Sequence, residues 1–238
     1  MDSGWLVQFA KQFNNVALLT YLIPLGIGIY RWKFLLPTYR PLVWFALIPG
    51  ALLNGALAEY GRHVLHNNII FLRLATVGET LLLGWAYYYA FHSGRSRFVL
   101  LAGLGIFLGL ASLESSNFAE HFFISYSSFI HLVQSVLLVG AAVAYFEQTL
   151  RELRNIDLGQ DPIFMVSVGS ILYYAGTLLV FISEMRLQDQ ADIIWIMYII
   201  QFVLLIVFNT FLAIALWHGD QPSDEYTSSP LDWPSPPS

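Results

Sequence analysis

Cysteine is absent from the chain. Disulfides, thiolate metal sites, iron–sulfur clusters and cysteine nucleophiles are thereby excluded, and the redox compartment is left open. Charge is scarce as well. Asp, Glu, Lys and Arg make up 11% of the 238 residues, against about 25% in a soluble domain. The 11 basic residues are scattered, which argues against a nucleic-acid footprint. P-loop, Rossmann and serine-hydrolase motifs are missing, so soluble-type nucleotide or acyl chemistry has no support. The last apolar segment has no lysine to hold retinal as a Schiff base, and only His131 lies clearly at membrane depth. Retinal and haem, c-type haem included, are therefore not expected. The start, Met1-Asp2-Ser3-Gly4-Trp5, lacks the cationic stretch of a secretory signal, so the first apolar run is expected to stay in the protein.

Apolar residues are abundant. They account for 57% of the chain, and the mean hydropathy is +0.61. Crossing about 30 Å of hydrocarbon takes roughly 20 helical residues. Apolar runs of that order fall near 14–30, 42–61, 69–91, 98–113, 122–146, 163–183 and 192–217. The expectation is an all-α polytopic membrane protein, with a seven-transmembrane-helix bundle over 1–218 and a tail over 219–238. That tail holds Asp220, Asp224, Glu225, Asp232 and five prolines without a basic residue, a composition expected to be disordered. It is too short for an output domain.

Seven of the eleven basic residues, Arg31, Lys33, Arg40, Arg95, Arg97, Arg151 and Arg154, follow odd-numbered segments. The bias of Lys and Arg toward cytoplasmic loops puts the N-terminus outside and the C-terminus in the cytoplasm. Trp32, Trp44, Trp195 and Trp217 fall near segment ends, as interfacial anchors do. Pro24 and Pro49 lie inside segments one and two and are expected to kink them. Gly105 and Gly109 have the small-xxx-small spacing of close helix contact.

Polar groups inside apolar runs carry the functional question. Glu79 lies near the middle of segment three, where an ionised carboxylate is costly, so it should face the bundle interior, be paired or stay protonated. Proton relay, cation binding and ligand contact all suit it, as does a plain hydrogen bond to a neighbouring helix. Asn54, His131, Gln134, Ser167, Ser170, Gln201 and Asn209 could line the same interior, with Arg73 one turn and a half before Glu79. A second cluster lies at the expected outer face. Glu59, His63 and His66 stand at i, i+4 and i+7, one stripe of a continuous helix, with Glu114, Glu120 and His121 on the same side as further donors. Such a set could hold zinc, iron or manganese.

Two stretches resemble a group of small uncharacterised bacterial seven-helix membrane proteins. They are His66-Asn67-Asn68-Ile69-Ile70 through Glu79 to Tyr87-Tyr88-Tyr89, and Asp161-Pro162 through Gly169 to Leu172-Tyr173-Tyr174-Ala175-Gly176. The likeness spans nearly the whole chain in helix order. It implies the seven-helix layout and a membrane location, and it matches Glu79 to an acidic position of the group, without supplying an activity. Sensor modules of bacterial histidine kinases have similar helix counts, a fold-level analogy. Seven-helix metal hydrolases such as alkaline ceramidases use an HxxxH pair in the last helix, where this chain has only His218.

The expected function is a receptor-like or accessory sensor module of a bacterial inner membrane. It would bind a small molecule and act through a separate cytoplasmic or membrane partner, or as a homo-oligomer. The alternatives are a membrane-embedded metal enzyme built on the outer Glu/His/His set and a proton- or ion-coupled carrier centred on Glu79.

Overall fold

The computed structural model describes residues 4–114, 126–151, 161–186 and 191–220. Among them are seven helices long and apolar enough to cross a membrane, and no strand. They are α1 (Gly4–Tyr30) and α2 (Pro37–Leu65), then α3 (Ile69–Ala90), α4 (Gly94–Glu114), α5 (Tyr126–Arg151), α6 (Pro162–Arg186) and α7 (Ala191–Trp217). The protein is a multi-pass, all-α membrane protein. Leu19, Ile23, Phe98 and Ile106 are among the large apolar side chains that point outward, where lipid rather than water is the solvent.

Helix α6 packs along α5 and α7, α7 also receives α1, and α2 lies on α3. Helix α3 touches α2, α4, α5 and α6, which makes it the central strut. Helix α4 lies at the edge on α3 and α5, with 17% of its span buried against 44% for α2 and α6. Gly103 on α4 sits against Leu137, while a Cβ at Gly105 or Gly109 would meet nothing among the described residues. The close contact expected of the Gly105–Gly109 pair is thus not made inside the bundle, because that face of α4 looks outward.

Both prolines disturb their helices, each by removing a donor and crowding the carbonyl four residues earlier. Helix α1 consists of Gly4–Leu19 and Leu22–Tyr30 joined through a turn at Thr20–Tyr21, just before Pro24. Around Pro49 the backbone of α2 widens into a π-helix over Ala46–Leu57. Gly50 follows, and any Cβ there would run into the ring of Tyr21. The two irregular stretches therefore lock together.

The half of the bundle away from the N-terminus is densely filled. Phe45, Leu83, Phe208, Leu212 and Leu216 are all buried, and Phe45 meets Phe208 edge-on at 5.6 Å. Asp161 caps α6. Its Oδ1 accepts the backbone N–H groups of Ile163 and Phe164 at 2.9 and 3.2 Å, and its Oδ2 accepts the Tyr145 hydroxyl at 2.6 Å. Pro162 follows at the first helical position, which needs no donor. Arg31 pairs with Asp220 at 2.6 Å and lies 5.2 Å over Trp217, and Leu36 N–H donates to the Gly219 carbonyl. The first two tail residues are thereby fastened to the α1–α2 loop. The rest of the tail, 221–238, lies outside the described residues.

Candidate functional site

At the opposite end the helices part around a cavity of about 820 Å³. Small-molecule sites commonly span about 300 to 1,000 Å³. The first half of α1, the last turns of α2, the first halves of α3, α5 and α7 and the second half of α6 contribute its walls. Lys11, Arg62, His63 and Asn68 stand at its mouth, and Glu79 lies at its floor. The mouth residues are exposed except for Asn68, which is half-buried, whereas Glu79 is 7% exposed.

Glu79 is held from three helices. Asn54 Nδ2 on α2 donates to Oε1 at 2.9 Å, Gln134 Nε2 on α5 donates to Oε2 at 3.2 Å, and the Tyr174 hydroxyl on α6 donates to Oε2 at 3.5 Å. The widened backbone of α2 brings Asn54 to this position, and Pro49 rests against Gly78, next to Glu79. π-Type turns inside helices are frequent at functional sites because they redirect side chains. Gln134 also reaches the Thr76 carbonyl at 3.3 Å, and its own carbonyl lies 3.3 Å from His131 Nδ1. The His131 ring in turn stacks on Phe181 at 4.7 Å. Thr76 and Thr80 bond back to carbonyls of their own helix, so they do not compete for the carboxylate.

The wall above the carboxylate is largely aromatic. Tyr21, Tyr173, Tyr174, Phe181, Trp195 and Tyr198 line it. Trp195 and Tyr198 meet at 5.9 Å in a T-shaped pair, and Tyr173 lies against Tyr174 at 4.9 Å.

The structure brings Glu79, Asn54, His131, Gln134 and Gln201 together around one space. Arg73 is exposed and does not line the cavity, since it lies on another face of α3. Ser167, Ser170 and Asn209 are buried but lie below the floor, in the filled half. Asn209 Nδ2 donates to Thr20 Oγ1 at 2.8 Å, which braces the break in α1.

The outer trio is only partly assembled. Glu59 Oε1 meets His63 Nε2 at 2.7 Å, and Glu59 Oε2 meets Arg62 at 3.1 Å. His66 ends the helix in the left-handed region with φ 53, and the chain then turns through Asn67, whose Oδ1 accepts the Ile69 N–H. A π-type turn over Gly61–Leu65 also breaks the regular spacing that would have put His66 in line. Among the described residues no three His, Asp or Glu side chains come together as a metal site. Glu120 and His121 lie outside the described residues.

Sequence reading missed the tyrosines. Tyr21, Tyr173 and Tyr174 were not assigned to the site, yet a phenol buried at membrane depth needs a hydrogen-bond partner, and an unpaired carboxylate is the natural one. The polar stretch from Lys11 to Asn15 was placed partly outside the first apolar run, which was set to begin near 14. It is a helical stretch of α1 in which Lys11, Asn14 and Asn15 face the cavity. Compared with known protein families, curated proteins and solved structures, the chain gives no match. Its function is therefore to be read from the geometry of the cavity.

Proposed function

We propose that the chain is a receptor-like module of a bacterial inner membrane that admits a small molecule from the outside and passes the change to a separate partner. The observation that carries this reading is the cavity of about 820 Å³, open at one end and floored by a carboxylate bonded to three helices. A ligand reaching Glu79 touches α2, α3, α5 and α6 at once, so its binding alters how they pack. The distribution of Lys and Arg turns the cavity mouth outward and the filled half toward the cytoplasm.

The test uses the chain's lack of cysteine. Single cysteines placed by Asn14→Cys at the mouth and Ser96→Cys at the opposite end are exposed to a membrane-impermeant maleimide on intact cells. Labelling of Asn14→Cys alone supports the orientation, and labelling of Ser96→Cys alone overturns it. Native mass spectrometry of protein extracted in mild detergent then reports a bound small molecule, expected to be lost in Thr177→Trp, whose indole projects into the cavity beside Tyr173 and Tyr174. Identical spectra for both proteins speak against a ligand there.

A carrier centred on Glu79 is the second reading, favoured by the lack of an ion pair to that carboxylate among the described residues. It requires the filled half to open. Reconstituted vesicles that accumulate substrate with the wild type and not with Glu79→Gln would favour it over the receptor.

A further inference from the structure

The three hydrogen bonds to Glu79 all run in one direction. Asn54, Gln134 and Tyr174 donate, and the carboxyl group accepts. An ionised carboxylate is acceptor-only, whereas a carboxylic acid carries an O–H that needs an acceptor of its own. The two amide donors favour the anion, while the Tyr174 hydroxyl serves either state, as donor or as acceptor. All three groups are neutral, however, and among the described residues Glu79 makes no ion pair. A charge this deep is costly unless it is paired. No described cation touches the carboxylate, since Lys11 and Arg62 stand at the mouth, and the space next to the carboxylate is the cavity.

The shape of that space decides what kind of cation fits. A divalent metal takes six or more oxygen ligands, and here one carboxylate is accompanied by neutral groups and, among the described residues, no second acid beside it. A volume of about 820 Å³ far exceeds what an inorganic ion fills. The side chains of Tyr173, Trp195 and Tyr198 bound it, and aromatic faces attract ammonium groups. At the mouth, Glu59 engages Arg62 and His63, which offsets part of the positive rim that a cation would pass and leaves Lys11 as its remaining charge.

We propose that the cavity takes an organic cation, a protonated or quaternary amine with an apolar body, whose charge sits against Glu79 and whose body lies along the aromatic wall. This rests on the reading of the cavity as a small-molecule site and adds the chemical class.

Three probes of nearly one shape separate the two claims: 2-phenylethylamine, 2-phenylethanol and phenylacetate, titrated calorimetrically at neutral pH into the full chain in mild detergent. The amine is expected to bind about ten-fold more tightly than the alcohol, and phenylacetate least. Glu79→Gln should bring the amine down to the alcohol's level and leave the alcohol unchanged. Trp195→Leu leaves the carboxylate untouched and should weaken the amine several-fold, which provides a test that does not depend on Glu79→Gln folding. An alcohol that binds as well as the amine, or an amine indifferent to both substitutions, overturns the cation assignment and leaves the cavity reading standing. Failure of all three probes to bind the wild type counts against the cavity reading itself, and the cation assignment falls with it.

Discussion

The two halves of this bundle use the same helices for opposite ends. Going along α3 from Asn68, the inward residues are first Leu72, Thr76 and Glu79, which face the cavity, and then Leu83 and Tyr87, which are sealed in the core. Two turns separate an open, polar, hydrogen-bonded environment from one filled by Phe45, Phe208 and Leu212. The comparison teaches that the filled half supplies the stability and the hollow half holds the hydrogen-bonded carboxyl group. Stability is drawn from dispersion and caps in the first, and in the second a buried carboxyl group is held by neutral donors, with no ion pair among the described residues.

The sharpest way to break this contrast is to hollow out the filled half. Phe208→Ala removes a fully buried ring packed on Phe45, Tyr173 and Tyr174, and it should cost about 3 to 5 kcal/mol of unfolding free energy in detergent. Phe202→Ala on the half-buried cavity wall should cost less than about half of that. Equal losses would erase the distinction between the halves.

Next in size is Asp161→Ala. It orphans the Ile163 and Phe164 N–H groups and the Tyr145 hydroxyl together, so a loss of about 2 kcal/mol is expected, read as a lowered melting temperature. Asp161→Asn, which keeps the cap acceptor, should recover most of it.

In the hollow half the sign reverses. If Glu79 is the anion proposed above, Glu79→Gln removes a buried charge that makes no ion pair among the described residues, so the ligand-free protein should become more stable by about 1 kcal/mol. A lowered melting temperature for Glu79→Gln would show that the carboxylate is already compensated. The smallest effect belongs to Ser170→Ala. The Ser170 Oγ is buried without a hydrogen-bond partner among the described residues, and its removal should change stability by less than about 0.5 kcal/mol in either direction.

How far these halves could be read from the sequence follows the same physics. Seven spans were legible because each apolar run is long and bounded. Glu79 was legible because a lone acid inside such a run stands out. Asn54 and Gln134 were named as interior polar groups, but nothing in span counting says that α2, α5 and α6 meet around α3. That meeting depends on side-chain packing and on the widened turn after Ala46, which no periodicity announces. The start of α1 was set near residue 14 instead of Gly4 because Lys11 and Gln12 interrupt the apolar run, whereas Lys11 faces an open cavity from a continuous helix. The stripe through Glu59, His63 and His66 assumed regular 3.6-residue turns, and the π-type turn and left-handed His66 removed that premise.

The most direct test of the account compares two single-cysteine proteins two turns apart on α3, Thr76→Cys and Leu83→Cys, treated in membranes with small cationic and anionic thiosulfonates. Thr76→Cys is expected to react, faster with the cationic reagent, and Leu83→Cys to stay unmodified. Equal reactivity at both positions, or preference for the anionic reagent at Thr76→Cys, would contradict a cavity that closes at Glu79 and carries its charge.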